Sequence, residues 1–163
     1  MPDHVSAGIL LFRRHAGRLE VLLGHPGGPW FARQDAGSWG IPKGQPSDEE
    51  AAAGRATLIA VARREFEEET GHPVPDGVLI PLGTVVQGSG KVVHAWAAEG
   101  DLDPALAESN TFQMEWPPHS GRVATYPELD RVAWFEPTEA RRRIRNPQQP
   151  LIDRLEAVLA ADS

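Results

Sequence analysis

The sequence has no cysteine and no long apolar run. Without cysteine the chain forms no disulfide, no thiolate zinc site and no iron–sulfur cluster, a pattern that fits a reducing cytosol. The first apolar segment, Val5 to Phe12, is too short to span a membrane, and no basic stretch precedes it as in a secretory signal. We therefore expect a cytoplasmic protein without a membrane segment.

Positive charge is also scarce, because 16 Lys and Arg residues stand against 23 Asp and Glu residues, a formal net charge of −7. Loose binding to long nucleic acid needs a basic surface, so this balance disfavours such a partner. It does not exclude a small phosphorylated molecule that is held through a metal ion. The length of 163 residues, 40% of them hydrophobic, suits one domain that spans residues 1–163.

The order of predicted elements favours a mixed sheet with helices packed on it, an α/β (α+β) class. Short apolar segments bounded by turn residues predict the strands, and apolar residues at helical spacing predict the helices. Before the central helix, Ser47 and Glu50 have the pattern of a capping box, and Gly54 offers a break into two helices. The predicted strands are 5–12, 19–24, 79–87, 91–99, 111–116 and 131–135, and the predicted helices are about 57–70, 137–145 and 151–161.

The central helix ends in an acidic cluster, in the segment Arg64 to Gly71. Glu65, Glu68 and Glu69 are related as i, i+3 and i+4, so they share one helix face. Neighbouring carboxylates raise one another's pKa unless a positive charge lies between them. Clusters of oxygen ligands suit hard divalent cations such as Mg²⁺ or Mn²⁺, which commonly complete their coordination with a phosphate. The alternative is a solvated acidic helix face.

Together with Gly44, the segment Arg64 to Gly71 (REFEEETG) resembles the Nudix box. Its second half is matched except that Phe66 and His72 stand where the pattern has aliphatic residues. The lead-in Trp39-Gly40-Ile41-Pro42-Lys43-Gly44 also resembles that of many Nudix members. This resemblance implies a Nudix-type α/β/α sandwich with a central mixed sheet, a catalytic helix at about 57–70 and a C-terminal helix at about 151–161.

The spacing departs from the box, because six extra residues separate Gly44 from Arg64. Counting forward from Gly44 places the first glutamate of the box on Glu50, whereas counting back from Arg64 places it on Ala56. The role of Glu50 therefore stays open, with a capping-box partner of Ser47 as the alternative. We expect the extra residues to lengthen the loop or to add a helical turn before the catalytic helix.

The resemblance implies hydrolysis of a nucleoside diphosphate linked to another group, with Mg²⁺ or Mn²⁺ as the cofactor. Residue by residue, Glu65, Glu68 and Glu69 match the metal-binding and base glutamates of the family. Gly44 matches a glycine whose backbone carbonyl also coordinates metal, and Arg64 matches an arginine that orients a catalytic carboxylate.

The family usually adds one further carboxylate from outside the box, at no fixed spacing. We favour Glu115 as this catalytic and metal-binding residue, because it lies on a predicted strand between two large apolar residues. The alternative for Glu115 is an ordinary strand residue that faces solvent. The other candidates are Glu99, Glu108 and Glu128.

The substrate-binding residues are predicted more weakly. Lys43 lies beside the metal-loop glycine and is expected to contact a phosphate, and further candidates for such a contact are Arg33, Lys91 and Arg122. The candidates to stack on a base, with a place in the core as the alternative, are Trp30, Phe31, Trp39 and Trp116. The basic run Arg141 to Arg145 is interpreted as a solvated helix face rather than an RNA site.

The lead-in is similar to that of dinucleoside polyphosphate and diphosphoinositol polyphosphate Nudix hydrolases. We therefore expect a small nucleotide substrate, a dinucleoside polyphosphate or a nucleoside triphosphate. Two alternatives stay open, a pyrophosphohydrolase that acts on the 5′ end of RNA and a non-catalytic module that senses a nucleotide. A homodimer also stays open.

Overall fold

A mixed sheet forms the centre of the computed structural model, which describes residues 4–88 and 90–162. Its strands lie in the order β4-β5-β1-β2-β8, with β3 paired to β1, while β6 and β7 form a separate two-stranded sheet. The pairing of β1 with β5 is parallel, and the other pairings are antiparallel. The strands are β1 (Val5–His15), β2 (Arg18–Pro26), β3 (Lys43–Gly44), β4 (Ile80–Gln87), β5 (Lys91–Glu99), β6 (Thr111–Glu115), β7 (Val123–Pro127) and β8 (Leu129–Phe135).

Helices cover both faces of the sheet and, in the described part of the chain, none has the length and apolar composition that a membrane span requires. Side chains alternate along β1, so Ile9 and Leu11 pack with Phe66 on one face, and Leu10 packs with Leu155 on the other. The α/β/α sandwich predicted from the sequence is confirmed. The helices are α1 (Asp48–Ala53), α2 (Arg55–Thr70), α3 (Pro137–Arg143) and α4 (Gln149–Ala161).

Segment 40–44 is inserted between β1 and β2, where these two strands separate. Gly40 bridges to Gly24 of β2, and Lys43 pairs with Gly8 of β1. A Cβ atom on Gly8 would lie 2.7 Å from the Cβ atom of Lys43, so the absence of a side chain permits this approach. The insertion fixes Lys43 and Gly44 in the sheet, directly beside α2.

The predicted helical stretch does divide at Gly54, which adopts φ 104° and ψ −167°. The predicted capping box is present, because Ser47 Oγ accepts from the N–H of Glu50 and Glu50 Oε1 accepts from the N–H of Ser47. Helix α1 therefore occupies the stretch that lengthens the box. Strand β7 was not predicted from the sequence. The helix predicted over 137–145 was two residues too long, because α3 ends at Arg143.

Candidate functional site

Gly44 meets the carboxylate of Glu65 where β3 passes α2. A Cβ atom on Gly44 would lie 2.0 Å from the carboxyl carbon of Glu65, which is closer than any side chain could approach. Glycine is therefore the residue that lets the Glu65 carboxylate lie against the strand backbone. Burial and the charge of Glu68 raise the pKa of Glu65, and Arg64 opposes this shift.

Glu69 is the most buried carboxylate of the site, with 9% of its surface exposed. Burial is the main reason that its pKa is raised to about 8, and the charges of Glu65 and Glu128 add to the effect. The charge of Lys43 and a hydrogen bond from the Lys43 backbone N–H favour the ionised form. Glu69 is therefore a carboxyl group that exchanges its proton near neutral pH.

Lys43 is a cation that lies close to the carboxylates of Glu69 and Glu65. Burial, together with the neighbouring charges of Lys91 and Arg145, lowers the pKa of its amine to about 8. Glu69 and Glu65 oppose this shift. The amine thus lies between acidic groups on one side and basic groups on the other.

Glu128 brings a fourth carboxylate to the site from between β7 and β8. Its backbone N–H donates to the carbonyl of Asn110 over 2.9 Å, and the N–H of Asn110 donates to the carbonyl of Glu68 over 2.7 Å. Burial raises the pKa of Glu128, and Lys43 lowers it. Glu128, Glu69 and Lys43 line one pocket of about 150 Å³.

Arg64 connects the acidic helix face to the extra helix α1. Its guanidinium donates to Glu65 over 3.0 Å, to Glu68 over 3.3 Å and to Glu50 over 3.3 Å. The carboxylate of Glu50 also accepts the capping-box hydrogen bond from the backbone N–H of Ser47. The two interpretations of Glu50 are therefore compatible, because one carboxylate caps α1 and also contacts Arg64.

The donor set suits a hard divalent cation, although side chains would have to move to bind one. In residues 4–88 and 90–162, no three His, Asp or Glu side chains converge closely enough to hold a metal ion as they stand. Burial nevertheless raises the pKa values of Glu65, Glu69 and Glu128, so a bound cation would favour their ionised forms. Their ligand atoms are all oxygen, the type that Mg²⁺ and Mn²⁺ prefer.

The structure does not bring Glu115 to this cluster. Both of its carboxylate oxygens accept hydrogen bonds inside its own hairpin, from the N–H groups of His119 and Gly121. Glu115 is also five residues along an extended strand from Asn110, roughly 16 Å at about 3.3 Å per residue. Of the four candidates outside the box, Glu128 is the one that lines the pocket with Glu69.

Trp39 lies in the core, with 2% of its surface exposed, and so cannot present a ring face to a base. Its ring packs edge-on against Phe135 and His25, and its indole N–H donates to Asp35 over 2.7 Å. The alternative stated for this tryptophan, a place in the core, describes the structure. Position in the sequence could not show which way the ring points.

Arg33 and Arg122 are exposed and are not among the described residues that line the pocket. Arg33 lies in the loop after β2. Arg122 lies in the turn between β6 and β7, where its backbone carbonyl accepts from the N–H of Trp116. Of the predicted phosphate contacts, Lys43 is the one that the structure brings to the carboxylates.

Sequence reasoning missed Arg145, which it placed in a basic helix. Helix α3 ends two residues earlier, and Arg145 lines the pocket beside Lys43. The pair Asn146-Pro147 after it is turn chemistry and is the signal that could have separated it from the helix. The other three arginines of the run pair with carboxylates: Arg141 with Asp153 and Glu156, Arg142 with Glu139, and Arg143 with Asp35 and Glu139.

Comparisons with known proteins agree with this architecture. A family model described as the NUDIX domain matches residues 2–155. No curated protein matches the sequence. The structure is similar to that of an Ap4A hydrolase from C. elegans, with a TM-score of 0.65, 21% identity, and 96% of this chain and 98% of that chain covered.

Two further solved structures show the same likeness. The NUDIX domain of NrtR from Shewanella oneidensis, solved with ADP ribose, has a TM-score of 0.62 and 18% identity, with 95% of this chain and 87% of that chain covered. The Nudix hydrolase RenU from M. smegmatis has a TM-score of 0.56 and 20% identity, with 99% and 89% covered. At these identities the likeness shows a shared fold.

Proposed function

We propose that this chain, which belongs to the NUDIX domain family and is a hydrolase, cleaves a pyrophosphate linkage in a nucleoside diphosphate derivative with the help of a divalent cation. The observation that carries the proposal is the carboxylate cluster beside Gly44, where Glu65 lies against the strand backbone and Glu69 and Glu128 line one pocket. Oxygen ligands gathered in this way are suited to a hard divalent cation that is bound together with a polyanion.

The residues that would hold Mg²⁺ or Mn²⁺ are Glu65, Glu68, Glu69 and Glu128, with the backbone carbonyl of Gly44. Such a cation, when bound, supplies charge that neutralises the pyrophosphate and activates water for attack at phosphorus. We assign to Glu128 the role that was predicted for Glu115, because Glu128 lines the pocket with Glu69.

Each of the chain's own residues at the site has a separate proposed role. Arg64 donates to Glu65 and Glu68 and so holds both carboxylates in place. Without a cation the pKa of Glu69 is about 8, and a bound cation would favour the ionised carboxylate that can act as a ligand or take up a proton. Lys43 places a positive charge at the phosphate end of the pocket.

A dinucleoside polyphosphate or a nucleoside triphosphate is the substrate class that we favour. Two observations support it: the Trp39-to-Gly44 lead-in, and the structural likeness to the C. elegans protein whose solved structure is described as an Ap4A hydrolase. An activity on the 5′ end of RNA is less favoured, because the arginines of α3 are engaged by carboxylates. A nucleotide sensor is the other candidate, since the NrtR domain was solved with ADP ribose.

The test is release of phosphate or pyrophosphate from a nucleotide panel in Mg²⁺, with a 5′-triphosphate RNA included. Glu68→Gln is expected to lower kcat by about 100-fold or more. Glu67→Gln is the matched control on the exposed side of the same helix and is expected to stay within about threefold of wild type.

The enzymatic proposal would be refuted if the wild-type protein turned over no substrate. It would also be refuted if wild type and Glu68→Gln turned over every substrate at the same rate. Binding of a nucleotide without turnover would favour the sensor. Turnover of the RNA alone would favour the RNA activity.

A further inference from the structure

The pocket beside Glu69 continues into a second pocket of about 370 Å³. Ser38 and Arg145 line both of them. The second pocket is also lined by Phe31, Pro147 and Lys91. We refer to the two adjoining pockets as the groove: the carboxylates of Glu69 and Glu128 line the first pocket, and the aromatic ring of Phe31 lines the second.

Three cations surround the middle of this groove. Lys91 and Arg145 are both close enough to Lys43 for their positive charges to disfavour its charged form. Lys43 lies nearest to the carboxylates, and Lys91 lies in the second pocket. A group of like charges in one groove is stabilised when an anion binds between them.

Arg145 differs from the other arginines of its segment. Burial alone shifts the pKa of Arg145 downward, and within the described ranges no carboxylate pairs with its guanidinium. A half-buried charge without a partner is costly to the fold. Its position is nevertheless fixed, because its backbone N–H donates to the carbonyl of Trp39 over 2.8 Å and its carbonyl accepts from Gln148 over 2.9 Å.

We propose that Arg145, with Lys43 and Lys91, binds a third phosphate of the substrate, beyond the two phosphates held at the carboxylates. The inference rests on the proposed function and narrows it to nucleotides with three or more consecutive phosphates. The nucleoside next to the third phosphate then lies in the second pocket, against Phe31. A substrate with two phosphates leaves Arg145 without a partner.

The first test compares kcat/KM for a nucleoside triphosphate and for the matching nucleoside diphosphate. Arg145→Gln is expected to lower the value for the triphosphate by about 10- to 100-fold, the effect of losing hydrogen bonds to a charged group. The value for the diphosphate is expected to change by less than about threefold. Arg145→Lys keeps the positive charge but loses the planar guanidinium group. Its kcat/KM for the triphosphate is expected to lie between the values of wild type and Arg145→Gln.

The second test measures binding of inorganic tripolyphosphate and pyrophosphate by calorimetry, in Mg²⁺ and in a Glu68→Gln background that preserves the ligand. Adding Arg145→Gln is expected to weaken tripolyphosphate binding by about 10-fold or more, with pyrophosphate affected less than about threefold. Arg14→Gln, at an exposed position of β1, is the matched control and is expected to change neither.

The two tests distinguish failure of the proposed third-phosphate subsite at Arg145 from failure of the proposed hydrolase function. If wild type turns over no nucleotide, the proposed function fails and the binding measurement alone decides the subsite. Equal losses for both ligands after Arg145→Gln would overturn the subsite, as would no loss for either. Absence of tripolyphosphate binding in the Glu68→Gln protein would overturn it as well.

Discussion

Glu69 lowers the stability of the metal-free fold and is also proposed to act in the site. Its pKa is about 8 in the folded chain against an ordinary value of 4.5, mainly because burial disfavours the charged carboxylate. Between these two pH values the folded state keeps a proton that the unfolded state has released. The free energy of unfolding therefore falls as the pH rises from about 4.5 to about 8, and this contribution is constant above that range.

Replacing Glu69 is expected to stabilise the metal-free protein. Glu69→Gln should raise Tm by about 3 °C or more at pH 8 and by about 1 °C or less at pH 5, at roughly 2–4 °C per kcal/mol for a chain of this size. Scanning calorimetry in EDTA measures this. Glu67→Gln is the exposed control, and the same Tm shift for Glu69→Gln at both pH values would contradict the account.

At the scale of elements, the junction of α1 and α2 depends on one backbone conformation. Gly54 adopts φ 104° and ψ −167°, a region that is open to glycine and strained for other residues. The break lets α1 turn so that Glu50 reaches Arg64 over 3.3 Å. The extra residues thus add a contact to Arg64.

Gly54→Ala is expected to lower Tm by about 3–8 °C, because the strain of such a conformation costs about 1–3 kcal/mol. The loss of the Glu50–Arg64 contact should lower nucleotide turnover as well. Thermal unfolding and far-ultraviolet circular dichroism measure the outcome. An unchanged Tm with increased helix content would show instead that α1 and α2 merge into one continuous helix.

How far the elements could be predicted depends on how local their signals are. Helix α2 was predicted to begin at about residue 57 and begins at Arg55, because its apolar stripe and its end at Gly71 are both local patterns. Strand β7 was missed, since it has five residues, none of them fully buried, and pairs only with β6 among the described strands. Segment Val123–Pro127 is therefore a strand because it pairs with β6, and its own sequence carries no clear strand pattern.

At the scale of the whole molecule, the site is assembled from four separate stretches of chain. Gly44 and the α2 glutamates belong to one motif, and the residue pattern on each side of the six extra residues was sufficient to predict them. Glu128 and Arg145 could not be found that way. Glu128 reaches the site because Asn110 hydrogen-bonds to both α2 and Glu128, and Arg145 because a backbone bond ties it to Trp39.

The net charge of −7 is also explained partly at this scale. Several of the carboxylates that contribute to it are gathered at one site, where a bound cation would offset them. The groove beyond that site is lined by positive side chains. A polyanionic substrate is therefore compatible with an acidic protein, because the local charge differs from the total.

The most direct measurement of the central claim compares Glu128→Gln and Glu115→Gln for hydrolysis of the best nucleotide of the panel in Mg²⁺. Glu128→Gln is expected to lower kcat by about 10- to 100-fold, because a carboxylate of the proposed cation site is lost. Glu115→Gln is expected to stay within about threefold, because its carboxylate only closes a hairpin. The opposite outcome, with turnover lost in Glu115→Gln and kept in Glu128→Gln, would contradict the account.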